Sequence, residues 1–186
     1  FLSYARAERT SLKKVELCHV VTEALEMLRR HPSYTADIEL DFNAEHSMIY
    51  VMGDDGPIKQ IVYNLLLNAA EALTAVEQTE KRVRVTVTVD QPDKLVTLGV
   101  ADNGPGITSG GAMNIFTPFY STKSSGSGLG LSIVHRLAEL MEVDLEVETG
   151  PGEGAAFRLV FSAFHGQAPE DLTEPRAARR ASQSRA

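Results

Sequence analysis

Asp102-Asn103-Gly104-Pro105-Gly106-Ile107 closes an alternating strand, and its reading governs the rest of the chain. Val96, Leu98 and Val100 share one side of the pleat, and a period of two carries Asp102 onto that same side. A carboxylate at the end of an apolar face needs a donor, because burying it unpaired is costly. Turn capping at a strand end is the plain reading of such an acid. The glycines flanking Pro105 point further: they let the backbone pass close to a flat ligand while the proline stiffens the loop. Together these residues describe a nucleobase pocket in which Asp102 accepts a hydrogen bond from an exocyclic amine.

Upstream, Val83, Val85, Val87 and Val89 alternate with Arg84, Thr86, Thr88 and Asp90, predicting a strand over 82–90. A turn at Gln91-Pro92-Asp93 joins it to a second strand over 94–101, making a hairpin. Before the hairpin, Asp54, Asp55 and Pro57 form a helix-start signature, with acids at the positive helix end and proline in the first turn. That helix is expected to reach about Val76. On it Asn64, Asn68 and Glu71 fall at i, i+4 and i+7, a polar stripe beside Ile58, Ile61, Val62, Leu65, Ala69 and Ala72. Amides bordering a buried face can point into a cleft, where an amide oxygen suits magnesium. For Glu71 alone, an ordinary amphipathic surface is the plainer reading.

Downstream, Gly126-Ser127-Gly128-Leu129-Gly130-Leu131-Ser132 runs into a third helix over about 129–141. Glycines at alternate positions present backbone N–H groups and a positive helix end to anionic oxygens. This is not a dinucleotide fingerprint, because Leu131 stands at the third-glycine position and no strand precedes it. Nor is Ser121-Thr122-Lys123-Ser124 a Walker loop, since Thr117 and Thr122 occupy its glycine positions. A closing hairpin is predicted from 143–148 and 155–161, with Gly150, Gly152 and Gly154 as its turn residues. Nearer the start, helical spacing runs from Leu12 to Arg30, His31-Pro32 ends it, and 38–42 and 48–52 read as short strands.

An Asn-rich helix, a strand-end Asp-x-Gly-x-Gly and then Gly-x-Gly-x-Gly, in that order, resemble the histidine-kinase branch of the Bergerat-fold ATPases. That superfamily also holds gyrase, heat-shock chaperones and mismatch-repair proteins. Asn64–Ala69 looks like the N box, Asp102–Gly106 the first glycine box, Phe116-Thr117-Pro118-Phe119 the F box and Gly126–Gly130 the second glycine box. The resemblance covers residues 11–162 and implies an α/β (α+β) two-layer sandwich, a mixed and mostly antiparallel sheet on three helices. It implies that Asp102 binds the adenine amine, that Gly104 and Gly106 shape its pocket, and that Asn68 holds magnesium with Asn64 nearby. Gly126, Ser127, Gly128, Leu129, Gly130 and Leu131 would lie along the phosphates of ATP, with Lys123 neutralising charge. Phe116 and Phe119 would anchor a short lid that orders when nucleotide binds.

Two departures matter. Many of these kinases carry a basic residue and an aromatic where Glu71 and Ala72 stand; Asn-Ala-Ala-Glu-Ala resembles the nitrogen-regulation type instead. The gyrase and chaperone relatives have a glutamate at the position of Asn64, where it activates water. An amide cannot act as a general base, so the site looks built to hand a phosphoryl group to another acceptor. The resemblance implies a histidine acceptor followed by an acid, and none of His19, His31, His46, His135 or His165 has an acid next to it. His135, within the third helix, reads as a surface or packing residue.

Composition fits this reading. Hydrophobic residues at 43% and charged residues at 23% are ordinary for a globular domain, and a formal net charge of -7 argues against a nucleic-acid surface. The single Cys18 excludes an internal disulfide and reads as a small buried apolar side chain in a reducing, cytoplasmic setting. No apolar run approaches the roughly 20 residues that span a bilayer, so no membrane contact is expected of this chain, although its parent is free to be anchored. Residues 1–10 read as the last turns of a second dimerisation helix, 11–162 as the catalytic domain, and 163–186 as a disordered tail whose arginines are solvated. The chain thus reads as a piece of a longer protein, monomeric by itself and nearly inactive without the dimerisation helices. The resemblance implies two partners, its own phosphoacceptor domain and a response regulator. An ATP-driven clamp and a non-catalytic nucleotide-binding module are the competing readings; Asn64 counts against the first and the intact motifs against the second.

Overall fold

The computed structural model describes residues 12–77, 80–107, 114–121 and 128–164. In chain order these form β1 (Lys13–Glu16), α1 (Leu17–Arg29), β2 (Ile38–Ala44), β3 (Tyr50–Gly53), α2 (Asp55–Thr74), β4 (Lys81–Asp90), β5 (Leu95–Asp102), α3 (Gly130–Leu140), β6 (Asp144–Thr149) and β7 (Ala155–Ser162). The alternation in β4 buries Val83, Val85 and Val87 completely, and the chain turns back so that Val83 faces Asp102 and Asp90 faces Leu95. Lys94 belongs to the turn, at φ 57°, so β5 lies one residue later than the pattern suggested and Asp102 is its last residue. The order β2-β4-β5-β7-β6 completes a five-stranded sheet, antiparallel except for the parallel β2–β4 pair.

The three helices cover the face that these valines share with Leu98, Val100, Phe157, Leu159 and Phe161. Asp54 caps α2 by accepting from the Gly56 N–H at 3.2 Å, and Pro57 sits in the first turn as its fixed φ allows. α2 packs against both α1 and α3 and buries Ile58, Ile61, Val62, Leu65, Leu66, Ala69, Ala70 and Leu73. At about 1.5–3 kcal/mol for each large apolar side chain removed from water, this helix anchors the layer. The two-layer architecture is the one that the family resemblance implied. No helix among the described residues is long and apolar enough to cross a membrane.

One local expectation changes. Helical spacing from Leu12 onward suggested one helix, but Lys13–Glu16 is a strand paired antiparallel with β3, Lys13 against Gly53 and Glu16 against Tyr50. The cause is Glu16, whose carboxylate accepts from the N–H groups of Cys18 (3.1 Å) and His19 (2.6 Å) and so starts the helix at Leu17. Neighbouring strands β2 and β3 also part company, β2 joining the main sheet and β3 the two-stranded one. Ala163 bridges Val51, and the Phe164 N–H donates to the Tyr50 carbonyl at 3.0 Å, tying the end of β7 to the small sheet. Cys18 is buried as composition suggested; burial, then the Glu16 carboxylate, push its thiol up to about 11 and keep it neutral. The stretches read as a helical remnant, 1–10, and as a tail beyond Phe164 lie outside the described residues.

Candidate functional site

The sheet ends in a row of side chains on its covered face. Val83 lies opposite Asp102, Asp102 opposite Ala155, and Ala155 opposite Thr149. Half-buried Asp102 thus stands between two small apolar neighbours, with Oδ1 accepting from the Gly104 N–H at 2.8 Å. Gly104 is buried: a Cβ there would stand 2.8 Å from that carboxylate oxygen and 3.6 Å from Ala72 and Leu73 of α2. The missing side chain therefore leaves the loop backbone lying against the helix. Asn103 pins the loop to β4, its Oδ1 accepting from the Arg82 N–H at 2.7 Å and its Nδ2 donating to the Glu80 carbonyl at 2.9 Å. Gly106 takes φ 68°, and a Cβ on it would fall 1.9 Å from the Gly150 carbonyl oxygen.

A turn further back on α2, Asn64 and Asn68 meet the start of α3. A Cβ on Gly130 would lie 3.5 and 3.6 Å from the amide atoms of Asn68 and 3.9 Å from Asn64 Oδ1. Asn64 Nδ2 is buried with no hydrogen-bond partner, a donor that an incoming anionic oxygen would satisfy. Leu129, at the N-cap of α3, makes no side-chain cap hydrogen bond, and the positive end of this helix lies beside the two amides. Leu131, next in the helix, is partly buried against the core.

The aromatic pair divides. Phe116 packs on the core, its ring 5.1 Å from that of His135, which also lies 3.6 Å from Glu139. Phe119 is 78% exposed. What holds that residue is its backbone, at φ 66°, whose N–H donates to the Gly128 carbonyl at 2.9 Å. Gly128 itself has φ 65° and no room for a Cβ against Phe119. Lys123, Gly126 and Ser127 lie outside the described residues.

α2 thus lies against the Asp102–Gly104 loop at Ala72 and Leu73, and one to two turns back its amide pair meets the start of α3. Residues 53–164 match the family of histidine kinase-, DNA gyrase B- and HSP90-like ATPases. The chain belongs to that family. It is 33% identical over 157 residues to the sensor histidine kinase ZraS of Klebsiella oxytoca, covering 84% of this chain and 32% of that protein. The ATPase domain also resembles solved structures of the mycobacterial sensor histidine kinase MprB (TM-score 0.67, 28% identity, 82% of this chain and 97% of that one) and of full-length ShkA in complex with AMPPNP (TM-score 0.70, 28% identity, 89% and 34%). The chain spans about a third of the length of the curated kinase it matches.

Two parts of this ATPase site escaped the sequence reading. Gly150 and Gly154 read as ordinary turn residues, yet Gly150 presents its carbonyl to Gly106, and a Cβ on Gly154 would stand 2.0 Å from the Asp102 carbonyl oxygen. The clue was the excess of glycine: a hairpin turn does not need three in Gly150-Pro151-Gly152-Glu153-Gly154. Asn103 drew no role from the sequence, because its partners Glu80 and Arg82 stand 23 and 21 positions earlier, at the start of β4.

Proposed function

We propose that this chain is the ATP-binding catalytic module of a sensor histidine kinase, which binds Mg-ATP and passes the γ-phosphoryl group to a histidine on a dimerisation domain outside the chain. The observation that carries this reading is the meeting of Asn64 and Asn68 with the start of α3 at Gly130. Backbone N–H groups and the helix dipole there favour phosphate oxygens, while Asp102 supplies the acceptor for an adenine amine. The described residues also fit magnesium: a hard cation that keeps most of its waters and phosphate ligands needs one neutral oxygen, and Asn68, with Asn64 beside it, can give one. When bound, the ion would offset charge on the phosphates.

Asn64 favours transfer over hydrolysis. Standing where water would need a base, an amide leaves the protein to position the phosphates and stabilise their charge, which is most of what phosphoryl transfer asks. On this reading the acceptor histidine and the dimer contacts lie on the phosphoacceptor domain outside the chain, and the response regulator is a further partner. Mixing the chain with phosphoacceptor helices and γ-labelled ATP tests the reading. Label on histidine supports it; free phosphate would instead indicate a clamp-type ATPase, and unreacted ATP a regulatory nucleotide-binding module. Asn68→Ala should weaken ATP binding more with magnesium than with a chelator, and equal losses by calorimetry would remove its metal role.

A further inference from the structure

Thr149 lies two strands from Asp102, in the same cross-sheet row and on the same face. Its hydroxyl accepts from the Ile107 N–H at 2.9 Å and donates to the Gly154 carbonyl at 2.8 Å. One oxygen therefore joins the end of the Asp102–Ile107 loop to the 150–154 turn. The same turn meets that loop twice more through backbone: the Gly152 N–H donates to the Pro105 carbonyl at 2.7 Å, and the Gly150 carbonyl lies against Gly106. Of these contacts only the one through Thr149 uses a side chain, so it is the one a substitution can switch off without altering the backbone.

We infer that Thr149 is a positioning residue for the nucleobase end of the site, fixing Gly104 and Gly106 so that the Asp102 carboxylate is aimed at the base. This rests on the nucleotide-site reading above. Removing the hydroxyl leaves a half-buried N–H and a buried carbonyl without partners, a loss felt by the loop and by the turn together. The loop would keep its fold through Asn103 and the backbone contacts but would hold the base less tightly. Because the amine is what distinguishes adenine from guanine at this acid, base discrimination should fall with affinity.

Thr149→Val keeps the branched shape and removes the hydroxyl; Thr149→Ser keeps the hydroxyl. By titration of the whole chain, Val should weaken ATP roughly tenfold, the worth of about one hydrogen bond, and narrow the preference for ATP over GTP by a similar factor. Ser should stay within about twofold of the wild type in both. Amide exchange at Ile107 should quicken in Val and not in Ser. The ATP-to-GTP ratio is read on folded protein only, so partial misfolding of a variant does not disturb it. Native affinity and selectivity in Val, or equal losses in Val and Ser, would overturn the positioning role. Absence of ATP binding by the wild-type chain would instead overturn the nucleotide-site reading beneath it.

Discussion

Asp102→Ala should weaken ATP by roughly ten- to over a hundredfold, the loss of a charge-assisted hydrogen bond worth about 1.5–3 kcal/mol. Two effects add in that change. The acceptor for the base amine disappears, and so does the acceptor for the Gly104 N–H, which the carboxylate holds at 2.8 Å. Asp102→Asn separates them, because an amide retains an oxygen for Gly104 but loses the charge and brings a donor toward the amine. Asn should therefore fall between wild type and Ala. Asp102 is only half-buried and ends its strand, so denaturant midpoints should move far less than affinity does. Calorimetry with Mg-ATP is the measurement; an Ala variant with wild-type affinity would defeat the base-pocket assignment.

Gly106→Ala should be the more damaging change to the loop itself. At φ 68° an alanine pays a left-handed penalty of about 1–2 kcal/mol. Its Cβ would also stand 1.9 Å from the Gly150 carbonyl and 2.9 Å from that of Gly154, both backbone atoms that no rotamer change can move. Either the loop or the turn must shift, and a shift in either unseats Gly104 and Asp102 from the base. ATP binding should drop at least a hundredfold, with a loss of about 2–4 kcal/mol in unfolding free energy by urea denaturation. Gly152→Ala is the control. It has φ 79° but nothing within 4 Å of its Cβ, so it should show the conformational penalty and keep its affinity for ATP. If the two variants behaved alike, close packing of the loop on the turn would not be what shapes the pocket.

Much of this site was legible because its parts are local. Asp102 declared itself through the alternation of β5, and Asn64 and Asn68 through helical spacing on α2. The glycines at 104, 106 and 128 stood out because few other residues allow such close backbone approach. Family resemblance then joined elements that spacing alone could not. Phe119 shows the limit: the resemblance implied a shared lid role for Phe116 and Phe119, and no sequence pattern told that one ring would pack on the core while the other, at φ 66° beside Gly128, lies exposed. β1 shows another: Val15 lies off the helical stripe, but Lys13–Glu16 is too short for alternation to declare a strand, and only its pairing with β3 reveals one.

By itself the amino-acid sequence determined which segments are helix and strand through most of the chain, and where a strand-end acid, a pair of helix amides and the glycines fall along it. These follow from side-chain periodicity and from the backbone freedom of glycine, properties carried within a few residues. Only the tertiary structure decided that β2 runs parallel beside β4, that β1 exists, and that Thr149, Gly150 and Gly154 brace the loop around Gly106. Hydrogen bonds and close contacts of that kind join residues some forty positions apart, and no local pattern records which distant partner a hydroxyl or a carbonyl will meet.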